Sequence, residues 1–337
     1  MKEYNVAVLG ATGAVGQQMM KVLEERNFPV KRLLPLASAR SAGKQLAFRG
    51  EALSIEEATE ASFAGMDIVL GAVSNEMAKR FAPAIQDSGA VFIDNSSAFR
   101  LREDVPLVVP EINPEDAFQH HGIVANPNCS TIITMVALGG IRRLTAIDKM
   151  VACTYQAVSG AGQQGITELQ DQLRAVTLGE PVQPHVFPCQ IVSNVIPQIG
   201  SECDNGYTTE EMKMQNEGRK IMHLPELQVC CTCVRVPVMR SHSIAVQLVT
   251  RDPISVEDAR QAVAAAPGCV LTDDLDGRNY PTPLDTSDQD LVYVGRIRRD
   301  LISGDHGLAL WCCGDQVRKG AATNAVQIAE LLARGQA

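Results

Sequence analysis

"YNVAVLGATGAVG", residues 4–16, decides the fold of the first part of the chain. Residues 4–9 form a short apolar run of strand character that stops at a glycine. Gly10, Gly13 and Gly16 then follow in a G-x-x-G-x-x-G spacing. Beyond them Val15, Met19, Val22 and Leu23 recur at helical spacing. The order is strand, glycine-rich turn, helix. In that order Gly10 permits a tight turn, Gly13 lets the backbone approach a pyrophosphate, and Gly16 allows the helix to pack close to the strand. The start of the helix offers free N–H groups to an anion. The pattern predicts a dinucleotide site; the alternative is a glycine-rich turn in an α/β fold that binds no nucleotide.

Strand and helix signals continue outward from this stretch. "VKRLLPLAS" is the next apolar run and completes a βαβ unit. "MDIVLGAV" and "AVFIDNSS" are near-continuous in apolar residues, as strands of a parallel sheet covered on both faces are. "NEMAKRFAPAIQDSG" is a helix between them, and "LVVPEIN" and "IVANPN" continue the alternation. This predicts a Rossmann-like doubly wound α/β domain up to Asn128. After it the texture changes. "KMVACTYQAVSG" is a long strand, and "QQGITELQDQLRAV" is a helix with Ile166, Leu169, Leu173 and Val176 on one face. "LQVCCTCVRVPVM" and "HSIAVQLVT" read as adjacent strands, with "GLALWCCGD" another. Bunched strands predict an α+β domain with a mixed sheet over 129–317. "KGAATNAVQIAELLARG" is a helix with Ala322, Val326, Ala329 and Leu332 on one face, expected to return to the first domain, so that 318–337 completes 1–128.

The second strand ends in "ASARSAGK", without the acid that commonly holds an NAD ribose. Ser38, Arg40 and Ser41 stand there, and a guanidinium with hydroxyls suits a 2′-phosphate, so NADP is favoured. The bland alternative is that Arg40 is a solvated loop residue.

The composition fits a globular protein of 337 residues and two domains, with 20% charged and 45% hydrophobic residues. A net charge of −9 argues against nucleic acid and anionic membrane as partners. No apolar run is long enough to span a bilayer. "MKEYNVAVLG" enters a strand directly, without a signal-peptide layout, which predicts a cytoplasmic protein whose ten cysteines stay reduced. Cys230, Cys231 and Cys233 cluster, as do Cys312 and Cys313, but without C-x-x-C pairs; core filling is expected and no metal site.

Cys129, in "ANPNCSTIITM", differs from these. A Pro between two Asn residues forces a turn, and Ser130 and Thr131 open an apolar run. That puts a thiol at a helix start, where the helix dipole favours the thiolate. A nucleophile and a small buried residue both remain open on spacing alone. His120 and His121 lie in a polar loop and read as solvated. His242, where an extended segment breaks and restarts, is a candidate acid/base partner or a structural histidine. Arg100 follows a strand end of the first domain, where ligands bind. Arg235 is a cation inside the apolar strand "CVRVPV" and needs an anionic partner. Lys213 lies on a charged helix, where a solvated role is the simpler one. Isolated cations in an acidic chain fit a small anionic substrate.

"VAVLGATGAVGQ", "ASARSAGK", "DNSSAFR", "VVPEIN", "NPNCSTI", "TYQAVSGAG", "RVPV" with "SHS", and "RKGAATNAVQ" together resemble aspartate-semialdehyde dehydrogenases over nearly the full length. The resemblance implies that Cys129 forms the acyl-enzyme and that His242 is the acid/base. It implies that Gln156 and Arg235 orient substrate, with Arg235 on its α-carboxylate. Arg100, Asn128 and Lys213 would contact phosphate or the acyl phosphate, and Glu210 the substrate amine or a neighbouring cation. The cofactor site would comprise Gly10, Thr12, Gly13, Ala14, Val15, Gly16, Ser38, Arg40, Ser41, Ser159, Gly160 and Gln316, the last where the family often has Asn. The implied reaction is NADPH-dependent reductive dephosphorylation of L-4-aspartyl phosphate to L-aspartate 4-semialdehyde and inorganic phosphate. Its product serves lysine (through diaminopimelate), threonine and methionine biosynthesis. A homodimer or homotetramer assembled through the second domain is also implied. An N-acetyl-glutamyl-phosphate reductase would share the architecture but typically reads N-P-G-C-Y where this chain has "NPNCST", and a glyceraldehyde-phosphate dehydrogenase is disfavoured likewise. A non-catalytic paralogue of the same fold would lack the cysteine, whereas Cys129 and His242 are both kept.

Overall fold

A computed structural model describes residues 2–335; residues 1, 336 and 337 of the expected first domain lie outside the described residues. The chain forms two compact units, one from the segment up to Asn128 together with the segment from Ala321 onward, the other from Cys129–Gly320.

The first unit begins with β1 (Tyr4–Leu9), α1 (Ala14–Glu25) and β2 (Val30–Ala37). A hairpin of β3 (Gln45–Phe48) and β4 (Glu51–Ser54) follows, then the two-residue β5 (Glu56–Glu57). Next come β6 (Ile68–Gly71), α2 (Asn75–Asp87), β7 (Val91–Asp94) and β8 (Ile123–Ala125). The parallel sheet runs β5-β2-β1-β6-β7-β8. Strand order reverses beside β1, and such a switch point at the carboxyl ends of the strands is where these sheets bind ligands. The doubly wound pattern is incomplete, because the hairpin replaces a helix between β2 and β6. "LVVPEIN" is not a strand: Leu107 makes one parallel bridge to Ala125, and the chain then turns. Asn113 explains the turn, since its Oδ1 accepts Val109 N–H (2.9 Å) and its Nδ2 donates to Leu107 O (2.9 Å), capturing groups a sheet would use. His120 is only half-solvated: its Nδ1 accepts Gly122 N–H (3.0 Å) and burial lowers its pKa.

The second unit comprises α3 (Cys129–Leu144), β9 (Ile147–Gln156), α4 (Gly162–Leu178), α5 (Thr209–Ile221), β10 (Gln228–Arg235) and β11 (His242–Thr250). It continues through α6 (Val256–Ala264), β12 (Cys269–Leu271), α7 (Pro283–Thr286), β13 (Val292–Arg299) and β14 (Gly307–Gly314). Its mixed sheet runs β10-β9-β11-β14-β13-β12. β10 and β11 are therefore not neighbours: β9 lies between them, parallel to β10 and antiparallel to β11. The sequence reads them as adjacent strands, but the segment 236–241 carries the chain across to the far side of β9.

α4 departs from its expected face. Leu169 is buried, but Leu173 and Val176 are 45% and 50% exposed, while Glu168 and Gln172 are buried. The two polar groups are satisfied by backbone N–H groups of a following loop, which offsets the cost of burying them. Cys231, Cys233, Cys312 and Cys313 are buried, while Cys230 is exposed.

The chain closes with α8 (Thr323–Arg334), whose Ala325, Val326, Ile328 and Ala329 join the core of the first unit with Val6, Val8, Met19 and Leu23. Arg26 grips Glu330 through Nε and Nη2 at 2.7 and 2.8 Å. Arg318, Lys319 and Gly320 belong with the second unit rather than with α8 as expected, and Gly320 N–H bonds Asp315 O (3.0 Å).

Candidate active site

The glycine turn has the geometry its spacing predicts. Gly10 has φ +89°, and a Cβ there would lie 2.3 Å from Ala72 O. A Cβ on Gly16 would lie 2.2 Å from Gly10 O, so both positions exclude any side chain. A Cβ on Gly13 meets only Gly10 O at 3.4 Å, so internal packing alone does not demand this glycine. Thr12, Ala14 and Val15 complete the turn, and Gly13 caps α1 without a side-chain hydrogen bond or an acid in the first turn. The helix start thus keeps amide donors for an anion, as a dinucleotide diphosphate requires. Ser38, Arg40 and Ser41 follow β2, Ser38 and Arg40 exposed and Ser41 half-buried. Glu57 of β5 pairs in register with Ala37, so an acid does stand beside the strand end, supplied by a strand too short to be seen in the sequence.

Arg100 is buried in the first unit, its Nε donating to Asn126 O (3.0 Å) and its Nη2 to Asn95 O (2.8 Å). Asn126 in turn donates to Asn95 Oδ1 (2.6 Å) and accepts from Asn324 Nδ2 (2.6 Å). These amides fix the segment that leads to the buried Asn128. Burial raises the pKa of Asp94, against hydrogen bonds from Ser96.

Cys129 is the first residue of α3, whose first turn has no acid and whose last carries Arg142 and Arg143. That is the favourable polarity for negative charge at the thiol. Gly320 lies against it: a Cβ on Gly320 would be 2.9 Å from Cys129 Cβ.

Three strand ends of the second sheet bring Gln156, Arg235 and His242 together. Arg235 is in register with Gln156 on parallel strands, and Ser243 pairs with Tyr155 on the other side, setting His242 at the Gln156 end. His242 is fully buried and its Nδ1 accepts Ala157 N–H (3.1 Å). A backbone amide can only donate, so Nδ1 is unprotonated and the neutral ring carries its proton on Nε2. Burial, helped by the Arg235 charge, lowers the His242 pKa to about 3. Arg235 Nη1 donates to Ala157 O (2.6 Å). Its pKa is lowered by burial and supported by the nearby Cys129 and Glu210 charges. Gln156 accepts from Thr154 Oγ1 (3.0 Å) and donates to Glu210 Oε1 (3.2 Å), and Lys213 Nζ donates to Glu210 Oε2 (2.7 Å). Glu210 and Lys213 thus join the cluster through a helix that periodicity alone could not place.

Ser159 and Gly160 lie in the turn after β9. Gly160 is needed for space, since a Cβ there would be 2.7 Å from Arg235 Nη1 and 3.2 Å from His242 Cε1. Gln316 straps the site: its Oε1 accepts Ser241 N–H (2.9 Å) and its Nε2 donates to Ser159 Oγ. Thr154, Asp315, Lys319 and Gly320 were missed in the sequence. Asp315 is buried against Arg240 (2.6 Å) and holds the 315–320 turn, and Lys319 is a fully buried cation within "RKGAAT", the one local signal that marked the segment.

Residues 5–120 match the family described as semialdehyde dehydrogenase, NAD binding domain, and residues 138–319 match semialdehyde dehydrogenase, dimerisation domain. The chain, with a glycine-turn cradle in its first unit and Cys129, His242 and Arg235 in its second, is thus of the semialdehyde dehydrogenase class. Aspartate-semialdehyde dehydrogenase of Bacillus subtilis (strain 168) is 48% identical over 336 residues, covering 97% of this chain and 97% of that protein. The enzyme of the same name from Synechocystis sp. is 50% identical over 327 residues, with 97% and 96% covered. The crystal structure of aspartate semialdehyde dehydrogenase II complexed with ASA, from Vibrio cholerae, superposes with TM-score 0.97 at 45% identity over 100% of both chains. The chain belongs to the aspartate-semialdehyde dehydrogenase family of oxidoreductases, and the acetyl-glutamyl-phosphate reductase alternative is set aside. Among the described residues no helix is long and apolar enough to cross a membrane.

Proposed function

We propose that the chain uses NADPH to convert L-4-aspartyl phosphate to L-aspartate 4-semialdehyde and phosphate, reversibly, in the cytoplasm and as a homodimer. The observation that carries this is the convergence of Arg235, Gln156 and His242 at the ends of three neighbouring strands, in the same unit as Cys129. The Cys129 sulfur attacks the acyl carbon, the C–O bond to phosphate breaks, and a thioester forms. Arg235 holds the α-carboxylate through its planar fork, and Gln156, fixed by Thr154 and Glu210, orients the chain of the substrate. The family resemblance assigns Arg100, Asn128 and Lys213 to the phosphate. NADPH, when bound on Gly10, Gly13 and Gly16 with Arg40 at its 2′-phosphate, supplies the hydride that reduces the thioester. The carbon–sulfur bond then breaks and the aldehyde leaves. His242 Nε2–H, with Nδ1 engaged by Ala157 N–H, donates a hydrogen bond to the oxygen that carries negative charge as each tetrahedral adduct forms and collapses. The test runs the reverse direction: NADP⁺ reduction with aspartate semialdehyde and phosphate, beside N-acetyl-glutamate semialdehyde. Aspartate semialdehyde alone should turn over, only with phosphate, and Cys129→Ala should abolish turnover yet keep NADP⁺ binding. Phosphate-independent turnover, or activity in Cys129→Ala, would refute the thioester route.

A further inference from the structure

α4 buries Glu168 and Gln172, which are 4% and 2% exposed, on a helix whose apolar residues Leu173 and Val176 face outward. Buried polar groups on a helix are costly unless each is satisfied. Here every bond they make serves one loop. Gln172 Nε2 donates to Glu168 Oε1 (2.9 Å). Glu168 Oε2 accepts His185 N–H (2.9 Å) and Val186 N–H. Gln172 Oε1 accepts Ile191 N–H (2.9 Å) and Val192 N–H (3.0 Å).

The loop so held ends on Arg235. Ile196 exchanges both backbone hydrogen bonds with Arg235, at 2.9 and 2.8 Å. Phe187 places its ring centroid 5.8 Å from the guanidinium carbon. The tip of that ring lies against α4 at Gly165, where a Cβ would come 3.2 Å from Phe187 Cζ. The guanidinium thus has Ala157 O on one nitrogen and an aromatic ring close by. A cavity of about 330 Å³, lined by Phe187, Ile196, Gln198, Gly200 and Arg235, opens on it. One of its N–H groups is bonded to Ala157, which leaves donors of the fork for a ligand carboxylate.

We propose that Glu168, Gln172 and Phe187 are positioning residues that set the Arg235 fork for the substrate carboxylate. This rests on the assignment of Arg235 to the α-carboxylate. The hydrogen bonds of α4 determine where the loop runs, the loop determines where Phe187 lies, and the ring holds the guanidinium plane.

The test measures KM for aspartate semialdehyde, phosphate and NADP⁺, and kcat, in Gln172→Met, Phe187→Leu and Phe187→Tyr, with thermal melting as a check on folding. Gln172→Met keeps length and removes both acceptor bonds; Phe187→Leu keeps apolar cover and removes the ring. Each should raise KM for aspartate semialdehyde roughly 3- to 30-fold, leaving KM for phosphate and NADP⁺ unchanged. Phe187→Tyr should restore the wild-type value. An analogue without the α-carboxylate should show no added penalty in either variant. Parallel changes in all constants, or an unchanged KM for aspartate semialdehyde in Phe187→Leu, would overturn the proposal. Phe187 is only half-buried, so its variants carry the test should Gln172→Met fail to fold. Arg235→Lys separates the two levels. If it discriminates against the carboxylate-bearing substrate while the loop variants do not, the positioning role alone falls. If it does not discriminate, the Arg235 assignment falls and this proposal with it.

Discussion

Gly320→Ala should disable the thiol without replacing a group that does chemistry. Gly320 does not have a positive φ, so its backbone accepts alanine. The added Cβ would stand 2.9 Å from Cys129 Cβ and 3.3 Å from Cys129 Cα, against an ordinary carbon contact of about 3.5–4.0 Å. Relief needs a displacement of roughly 0.5–1 Å. α3 resists it, because Ser130 to Ile141 are all buried. The turn resists it too, since Asp315 accepts Val317 N–H (2.8 Å) and Arg318 N–H (3.1 Å) and pairs with Arg240 (2.6 Å). Misplacing a reacting group by about 1 Å costs on the order of 100-fold, so kcat should fall roughly 10- to 100-fold. Overpacking should cost about 1–3 kcal/mol of stability, a few degrees of melting temperature. The assay is the initial rate of NADP⁺ reduction with aspartate semialdehyde and phosphate, with NADP⁺ affinity measured alongside. Full kcat in a folded variant would show that the position of Cys129 does not depend on this contact.

Arg235→Lys keeps charge and loses the fork, and should lower kcat/KM by about 1–3 kcal/mol in transition-state terms. Little of that penalty should remain with an analogue lacking the α-carboxylate; an equal loss with both substrates would mean that Arg235 serves the fold or the phosphate. Arg40→Ala should narrow the preference for NADP over NAD by roughly 10- to 150-fold, the worth of one charge-assisted contact, and an unchanged ratio would show that Arg40 does not meet the 2′-phosphate. His242→Asn should flatten the acid limb of stability. The folded pKa near 3 lies below the ordinary 6.5, so between these values the unfolded chain holds a proton that the folded chain lacks, and stability is lost as pH falls through that window. The variant removes up to about 1.4 kcal/mol per pH unit of that slope while Asn can still accept from Ala157; denaturant midpoints at pH 4 and 7 that shift by the same amount in wild type and variant would contradict it.

The parts legible in the sequence were those whose cause is local. The Gly10 and Gly16 spacing is dictated by contacts inside one turn, and the Asn-Pro-Asn turn puts Cys129 at a helix start. Elements that depend on distant partners were misplaced or missed. "LVVPEIN" has strand composition, but the Asn113 side chain diverts its hydrogen bonds. α4 shows an apolar stripe at helical spacing, yet it buries only Leu169 of that stripe fully and fills the rest of its buried face with Glu168 and Gln172, because a loop returning later supplies the donors. Thr154 and Gly320 matter through Gln156 and Cys129, partners that only the fold brings to them.

The return of α8 bears on the order in which the molecule is made. The second unit is one uninterrupted stretch, Cys129–Gly320, whereas the first closes its core with Val326 and Ile328. On a ribosome, which releases chain from the amino end, the strands from β1 to β8 emerge first but wait for the whole second unit before α8 can cover them. Until then Val6, Met19 and Leu23 lack their final neighbours, so the core beneath the dinucleotide cradle, made before the second unit, is completed after it.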